Sequence, residues 1–321
     1  MNQLSYFFKE KTELIDKILI VNISLIPLSL AISIFFADLL ASVCSLILIY
    51  FFLSKKNLDI FRLVKKEIIF FSLFYIIILI SLILSKYKDI SFLASFFYFR
   101  YFFLTLTIFY LLKKYDFYFK IFFYSVMISF SLVLFDSYFQ HIIGYNLFGY
   151  TKEGLLEKNS FIYLTSFFFE EKKLGSYLVR FLPLILSLVI FFKPKGSIYF
   201  EFFILIISGI IIFFSSERTA LFLLLVTYFF YFLINKKKIY FLIIIFITFF
   251  TLFNFENNLK LKEKYINFTL HQTGLITLFK TKDDLKFSAF KNNNLVRYYS
   301  EEHENLSYTG LKIFQNNYFF G

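Results

Sequence analysis

Long apolar runs, broken by short lysine-bearing polar stretches, set the rhythm of this chain. A helix needs about 20 apolar residues to span the hydrocarbon of a bilayer. On that measure the pattern predicts about nine crossings, near 18–36, 39–54, 68–85, 91–112, 121–139, 175–192, 198–215, 219–234 and 239–254. Only Asp38 separates the first two, so the pattern places a tight hairpin there. The run from Ile198 to Ile234 is interrupted by Ser215-Ser216-Glu217-Arg218-Thr219-Ala220. As one bent helix it would extend ~54 Å, too long for a bilayer. A Glu-Arg pair in hydrocarbon costs a few kcal/mol or more. A turn between two helices at the membrane face removes that cost. The expected fold is therefore all-α, a polytopic helical membrane protein with a bundle over 1–254 and an outer segment over 255–321.

Charge gives this bundle an orientation. With the N-terminus inside, 16 lysines and arginines, among them Lys55, Lys65, Lys113, Lys193 and Lys236 to Lys238, fall on the cytoplasmic side against six acids. The outer loop 140–174 carries four lysines and four glutamates and is neutral. This is the positive-inside asymmetry. It accounts for most of the formal net charge of +12, so the basic balance calls for no nucleic acid. Glycines and the apolar stretch Phe161-Ile162-Tyr163-Leu164 predict that this loop lies on the membrane face as an ordered lid.

Composition agrees with the class: 59% of residues are hydrophobic and the mean hydropathy is +0.70, above soluble usage. The 54 Phe and 24 Tyr, with no Trp, read as coding bias rather than as a device. Cys44 is alone in an apolar segment, which excludes an internal disulfide. The first apolar stretch runs on for about two spans without a small-residue cleavage site, unlike a signal peptide. The chain stops at Gly321 directly after Tyr318-Phe319-Phe320, and a continuation beyond it is expected.

Candidate chemistry concentrates towards the outer face. Arg100 falls ~13 Å deep in the fourth crossing, Arg180 about five residues into the sixth, and Arg218 at the turn after the seventh. Intramembrane charges usually face a bundle interior or a wet cavity. Three forked guanidiniums in one layer suit a diphosphate. Alternatively each is satisfied separately by a carboxylate, and Asp136, Glu170, Glu171 and Glu217 are available. The histidines His141, His271 and His303 lack cysteines or acids at ligand spacing, so no metal and no cofactor is expected. His303 sits among Glu301, Glu302 and Glu304, whose charges favour the imidazolium, a phosphate-binding form.

Several stretches together resemble the O-antigen ligase and O-antigen polymerase superfamily of bacterial cell-envelope enzymes. Phe96-Phe97-Tyr98-Phe99-Arg100-Tyr101-Phe102 resembles its arginine-bearing fourth helix. Asp136-Ser137-Tyr138-Phe139-Gln140, then Gly144 to Gly149, resembles its D-x-x-x-Q … G-x-x-x-x-G segment. Glu170-Glu171, then Gly175, Arg180 and Pro183, is similar to the acidic-then-glycine start of the next helix. Ser216-Glu217-Arg218-Thr219-Ala220 resembles the S-x-R-T-A turn, and Leu311 to Asn317 with Gly321 the helix of the large outer loop. The likeness covers about 90–321.

The resemblance implies a metal-independent, GT-C-type glycosyltransferase in the bacterial inner membrane, with its active face periplasmic. Its substrate would be a glycan on an undecaprenyl-diphosphate carrier and its acceptor a lipid-linked or glycan hydroxyl. Arg218 and His303 would be catalytic, with Arg180, Arg100, Arg297, Glu217, Glu171 and Asp136 around the substrate. His303, with Arg297 nearby, stands where many relatives have arginine, and the chain ends before the family's H-N segment and last three helices. An inactive truncated relative is one alternative. A transporter or flippase of lipid-linked sugars is another, though no internal repeat of the kind such folds carry is visible.

Overall fold

The computed structural model describes residues 13–54, 62–85, 88–151, 163–169, 171–192, 197–235, 243–244, 246–247, 250 and 301–316. Among these the chain is almost entirely helical and has no strand; Tyr145 and Thr151 form one isolated bridge. In chain order the helices are α1 (Leu14–Ile32), α2 (Ile34–Leu53), α3 (Lys65–Leu84), α4 (Lys88–Phe96) and α5 (Phe99–Lys114). They continue as α6 (Tyr118–Ile143), α7 (Leu174–Phe192), α8 (Ser197–Phe214), α9 (Arg218–Asn235) and α10 (Glu301–Asn316), with a short 3₁₀ turn at Ser166–Phe168 before α7. Among the described residues six segments are long and apolar enough to cross a membrane: α1, α2, α3, Ser91–Lys114, α6 and α7. Two shorter apolar helices, Ile198–Phe214 and Arg218–Ile234, follow. Nearly all of the crossing expected at 239–254, with Lys236 to Lys238 before it, lies outside the described residues.

The chain divides into two compact units, Met1–Val133 and Leu134–Phe319. In the first, α1, α2 and α5 share a core of Leu19, Ile20, Ile23, Cys44, Leu48, Phe51, Leu106, Tyr110 and Leu111. Polar side chains tie both ends of these helices. At one end Asp16, fully buried, accepts hydrogen bonds from Tyr110 (3.0 Å), Tyr115 (2.6 Å) and Lys114 (2.6 Å). At the other, Arg100 Nη2 donates to Asp38 Oδ2 at 2.8 Å and Ser45 Oγ donates to the Arg100 carbonyl.

The first hairpin turns earlier than the charge pattern suggests. The break falls at Ser33, a single extended residue (φ −159°, ψ 123°), and Asp38 lies inside α2. The reason is the salt bridge: Asp38 has a cation to pair with in α5 and needs no exposed turn. The crossing expected at 91–112 stands as the single segment Ser91–Lys114, in which backbone bonds from Tyr98 N to Ser95 O and from Arg100 N to Phe97 O tighten the chain between α4 and α5. Arg100 thereby enters the first turn of α5, level with Asp38.

In the second unit, α7 packs against α8 and α9 and carries ten buried residues, among them Leu178, Leu182, Ile185 and Val189. These positions repeat every three or four residues, the stripe of a helix that faces a core. The turn between α8 and α9 at Ser215–Glu217 stands where the Glu-Arg interruption predicts it.

Candidate functional site

The start of α7 and the turn from α8 to α9 are locked by one carboxylate. Glu217 Oε1 accepts from Gly175 N at 2.6 Å, and Oε2 accepts from Ser176 N at 2.9 Å and Ser176 Oγ at 2.5 Å. The first N–H groups of a helix have no partner within it and carry its positive dipole end, so an acid is well placed there. Burial pushes the Glu217 carboxyl above its ordinary range, while the Ser176 and Gly175 hydrogen bonds and the nearby Arg180 guanidinium draw it back. The helix end that could have received a substrate anion is therefore filled by the protein's own side chain.

Gly175 makes this approach possible. A Cβ there would collide with Ser215 Oγ and stand 3.0 Å from Ala220 Cβ and 3.1 Å from Glu217 Oε1. Gly175→Val should loosen the α7–α9 junction by about 1–3 kcal/mol, the usual cost of overpacking. A thermal unfolding shift of the detergent-solubilised protein measures it, with Gly310→Val, which meets nothing within 4 Å, as the silent control.

Arg180 and Arg218 are the cations of this junction. Arg180 is exposed on α7, close enough to influence Glu217, and Arg218 is half-buried as the first residue of α9. Ser216, between the two helices, holds a left-handed backbone (φ 64°) that costs a non-glycine residue about 1–3 kcal/mol. Ser166 (φ 51°) and Phe169 (φ 56°), in the loop before α7, hold it too. Strain of this kind persists where surroundings over-determine the backbone, commonly at functional sites.

A buried polar clamp supplies those surroundings for Ser166. Asp136 and Gln140, one turn apart on α6, are both fully buried. Asp136 accepts from Leu147 N (2.8 Å), Ser166 Oγ (2.5 Å) and Asn146 Nδ2 (3.4 Å). Gln140 Oε1 accepts from Thr165 N and Ser166 N, while its Nε2 donates to Thr165 Oγ1 and the Tyr150 carbonyl. Asn146 donates to the Ser166 carbonyl and accepts from Phe148 N and Tyr150 N. The described parts of the loop 140–174 are thus pinned to the end of α6, and Leu164 N bonds the Phe214 carbonyl at the end of α8.

The expected site residues fall into separate groups. Arg180 is close enough to act on the Glu217 carboxyl, and Arg218 is Glu217's neighbour in the chain. Asp136 is buried in the clamp, where its oxygens meet donors from the protein itself. Glu171 is exposed and pairs with Lys173. Arg100 belongs to the first unit, where it pairs with Asp38 and Tyr101. His303 is on α10, and Arg297 and Glu170 lie outside the described residues. Gly175 and Ser176 complete the junction, and Asn146 and Ser166 the clamp; none was singled out by sequence as a site residue, and the i, i+4 spacing of Asp136 and Gln140 was the visible trace of the clamp. Among the described residues no group of three or more His, Cys, Asp or Glu could hold a metal ion. No family model matches this chain, and no curated protein or solved structure does.

Proposed function

We propose that this chain is a polytopic protein of the bacterial inner membrane, with about nine crossings and a cytoplasmic N-terminus, that transfers a glycan from an undecaprenyl-diphosphate carrier to a lipid-linked or glycan hydroxyl at the outer face. The observation that carries the reading is the Glu217 anchor, which sets its chain neighbour Arg218 at the start of α9 and has Arg180 of α7 close enough to act on its carboxyl, beside the left-handed backbone of Ser216. The bond from the sugar's anomeric carbon to the diphosphate oxygen breaks, and the acceptor oxygen bonds to that carbon and gives up its proton. Negative charge grows on the leaving diphosphate, and preorganised cations at that position lower the barrier. Because Glu217 already occupies the α7 N-terminus, the diphosphate would be met by guanidinium groups rather than by the helix end.

Purified protein, carrying whatever residues its gene encodes past Gly321, should join lipid-linked glycan to acceptor and release undecaprenyl diphosphate. Movement of the lipid-linked glycan across the bilayer without a joined product would support transport instead. The orientation has its own test. In cells, a membrane-impermeant thiol reagent should label a cysteine introduced at Asn292 and miss one at Lys237, because the lysine asymmetry holds Lys236 to Lys238 inside. The reverse pattern would overturn the periplasmic assignment.

A further inference from the structure

Helix α3 has no buried residue along its whole length, yet one of its faces is not featureless. Lys66, Glu67, Phe70, Phe71 and Phe74, with Phe102 of α5, line an open groove of about 430 Å³. That volume falls within the range of about 300–1,000 Å³ usual for small-molecule sites. The α3 residues recur at three- and four-residue spacing, so they form one stripe. The Phe71 and Phe102 rings stack at 4.0 Å between centroids and close one wall. From Lys66 to Phe74 the stripe runs ~12 Å along the helix axis. One leaflet of hydrocarbon is about 15 Å deep. The groove therefore has the length of one leaflet, aromatic walls within the apolar stretch, and a cation and an anion at its polar mouth.

We propose that this groove holds one acyl chain of a phospholipid with a primary-amine zwitterionic headgroup, the phosphate meeting Lys66 and the ammonium meeting Glu67. The two opposite charges at the mouth decide the headgroup. A purely anionic lipid would set its charge against Glu67, and a quaternary amine has no N–H to donate to that carboxylate. The site is independent of the glycan-transfer reading, because it uses none of the residues around Glu217.

The test reconstitutes the full chain in nanodiscs of equimolar phosphatidylethanolamine, phosphatidylcholine and phosphatidylglycerol and counts retained lipids by native mass spectrometry. Phosphatidylethanolamine should be retained about two- to fivefold over each of the others, the factor an exposed ion pair contributes. Glu67→Gln should bring that advantage to parity, and Lys66→Gln should lower retention of all three. Both positions are exposed, so the variants keep the fold and membrane yield reports it. Equal retention of the three lipids, preference for phosphatidylglycerol or phosphatidylcholine, or an advantage unchanged by both substitutions overturns the proposal.

Discussion

Arg218→Ala is expected to lower glycan transfer by about 10²–10³, the loss typical of removing one transition-state donor, with membrane insertion and yield intact. Arg218 begins α9 directly after the residue that fastens α7, so its backbone position is set by bonds that the substitution leaves alone. Arg218→Lys keeps the charge and loses the planar two-pronged donor geometry, so it too should fall well below the parent. Radiolabelled lipid-linked glycan, with joined product counted at fixed protein in vesicles, measures both. Near-parent transfer by the alanine variant would make Arg218 a helix-turn anchor beside Glu217 and remove it from the chemistry.

Asp136→Ala should be the most damaging change to the loops of the second unit. It leaves Leu147 N–H, Ser166 O–H and one Asn146 N–H facing a cavity, and the unsatisfied buried donors cost about 3 kcal/mol or more together. The loss should be local first, because the clamp holds the segments 144–151 and 163–169 while α6 has its own helical bonds. Hydrogen exchange in those two segments should rise sharply, with the body of α6 little changed. Asp136→Asn keeps the shape and one acceptor oxygen, and the Ser166 hydroxyl can turn to accept from the amide, so its effect should be smaller. Unchanged exchange in the alanine variant would mean that Gln140 and Asn146 alone fix the loops.

Most of the apolar helices of the described region were legible because their runs are bounded by lysines or by a costly charge. The turn at Ser215–Glu217 was legible for the same reason. Glu217 and Arg218 are the only charged residues between Glu201 and Lys236, and hydrocarbon does not tolerate them cheaply. What the pattern could not show is pairing at a distance. Asp38, the lone acid in its run, read as a turn because Arg100, its partner, lies 62 positions away. The true turn at Ser33 has no glycine, proline or charge to mark it. The same separation hid from the pattern that Arg100 has a carboxylate partner at Asp38. Asp136 was legible as an important acid, but its partners Asn146 and Ser166 arrive through loop geometry, which hydrophobic periodicity does not encode.

The ion pairs of Asp16 and Asp38 in the first unit also bear on how the chain is made. Asp16 and Asp38 leave the ribosome within the first hairpin, while Lys114 and Arg100 follow 98 and 62 residues later, both on α5. At about 5–20 residues per second, Asp16 waits roughly 5–20 s for its cation. Until then the hairpin carries an uncompensated acid at each end, and its pairing surface is exposed to lipid or to the insertion machinery. Helix α5 thus brings the counter-charges of this unit during biogenesis: a nascent chain stalled before Lys114 would be a hairpin without them, and a substrate for quality control.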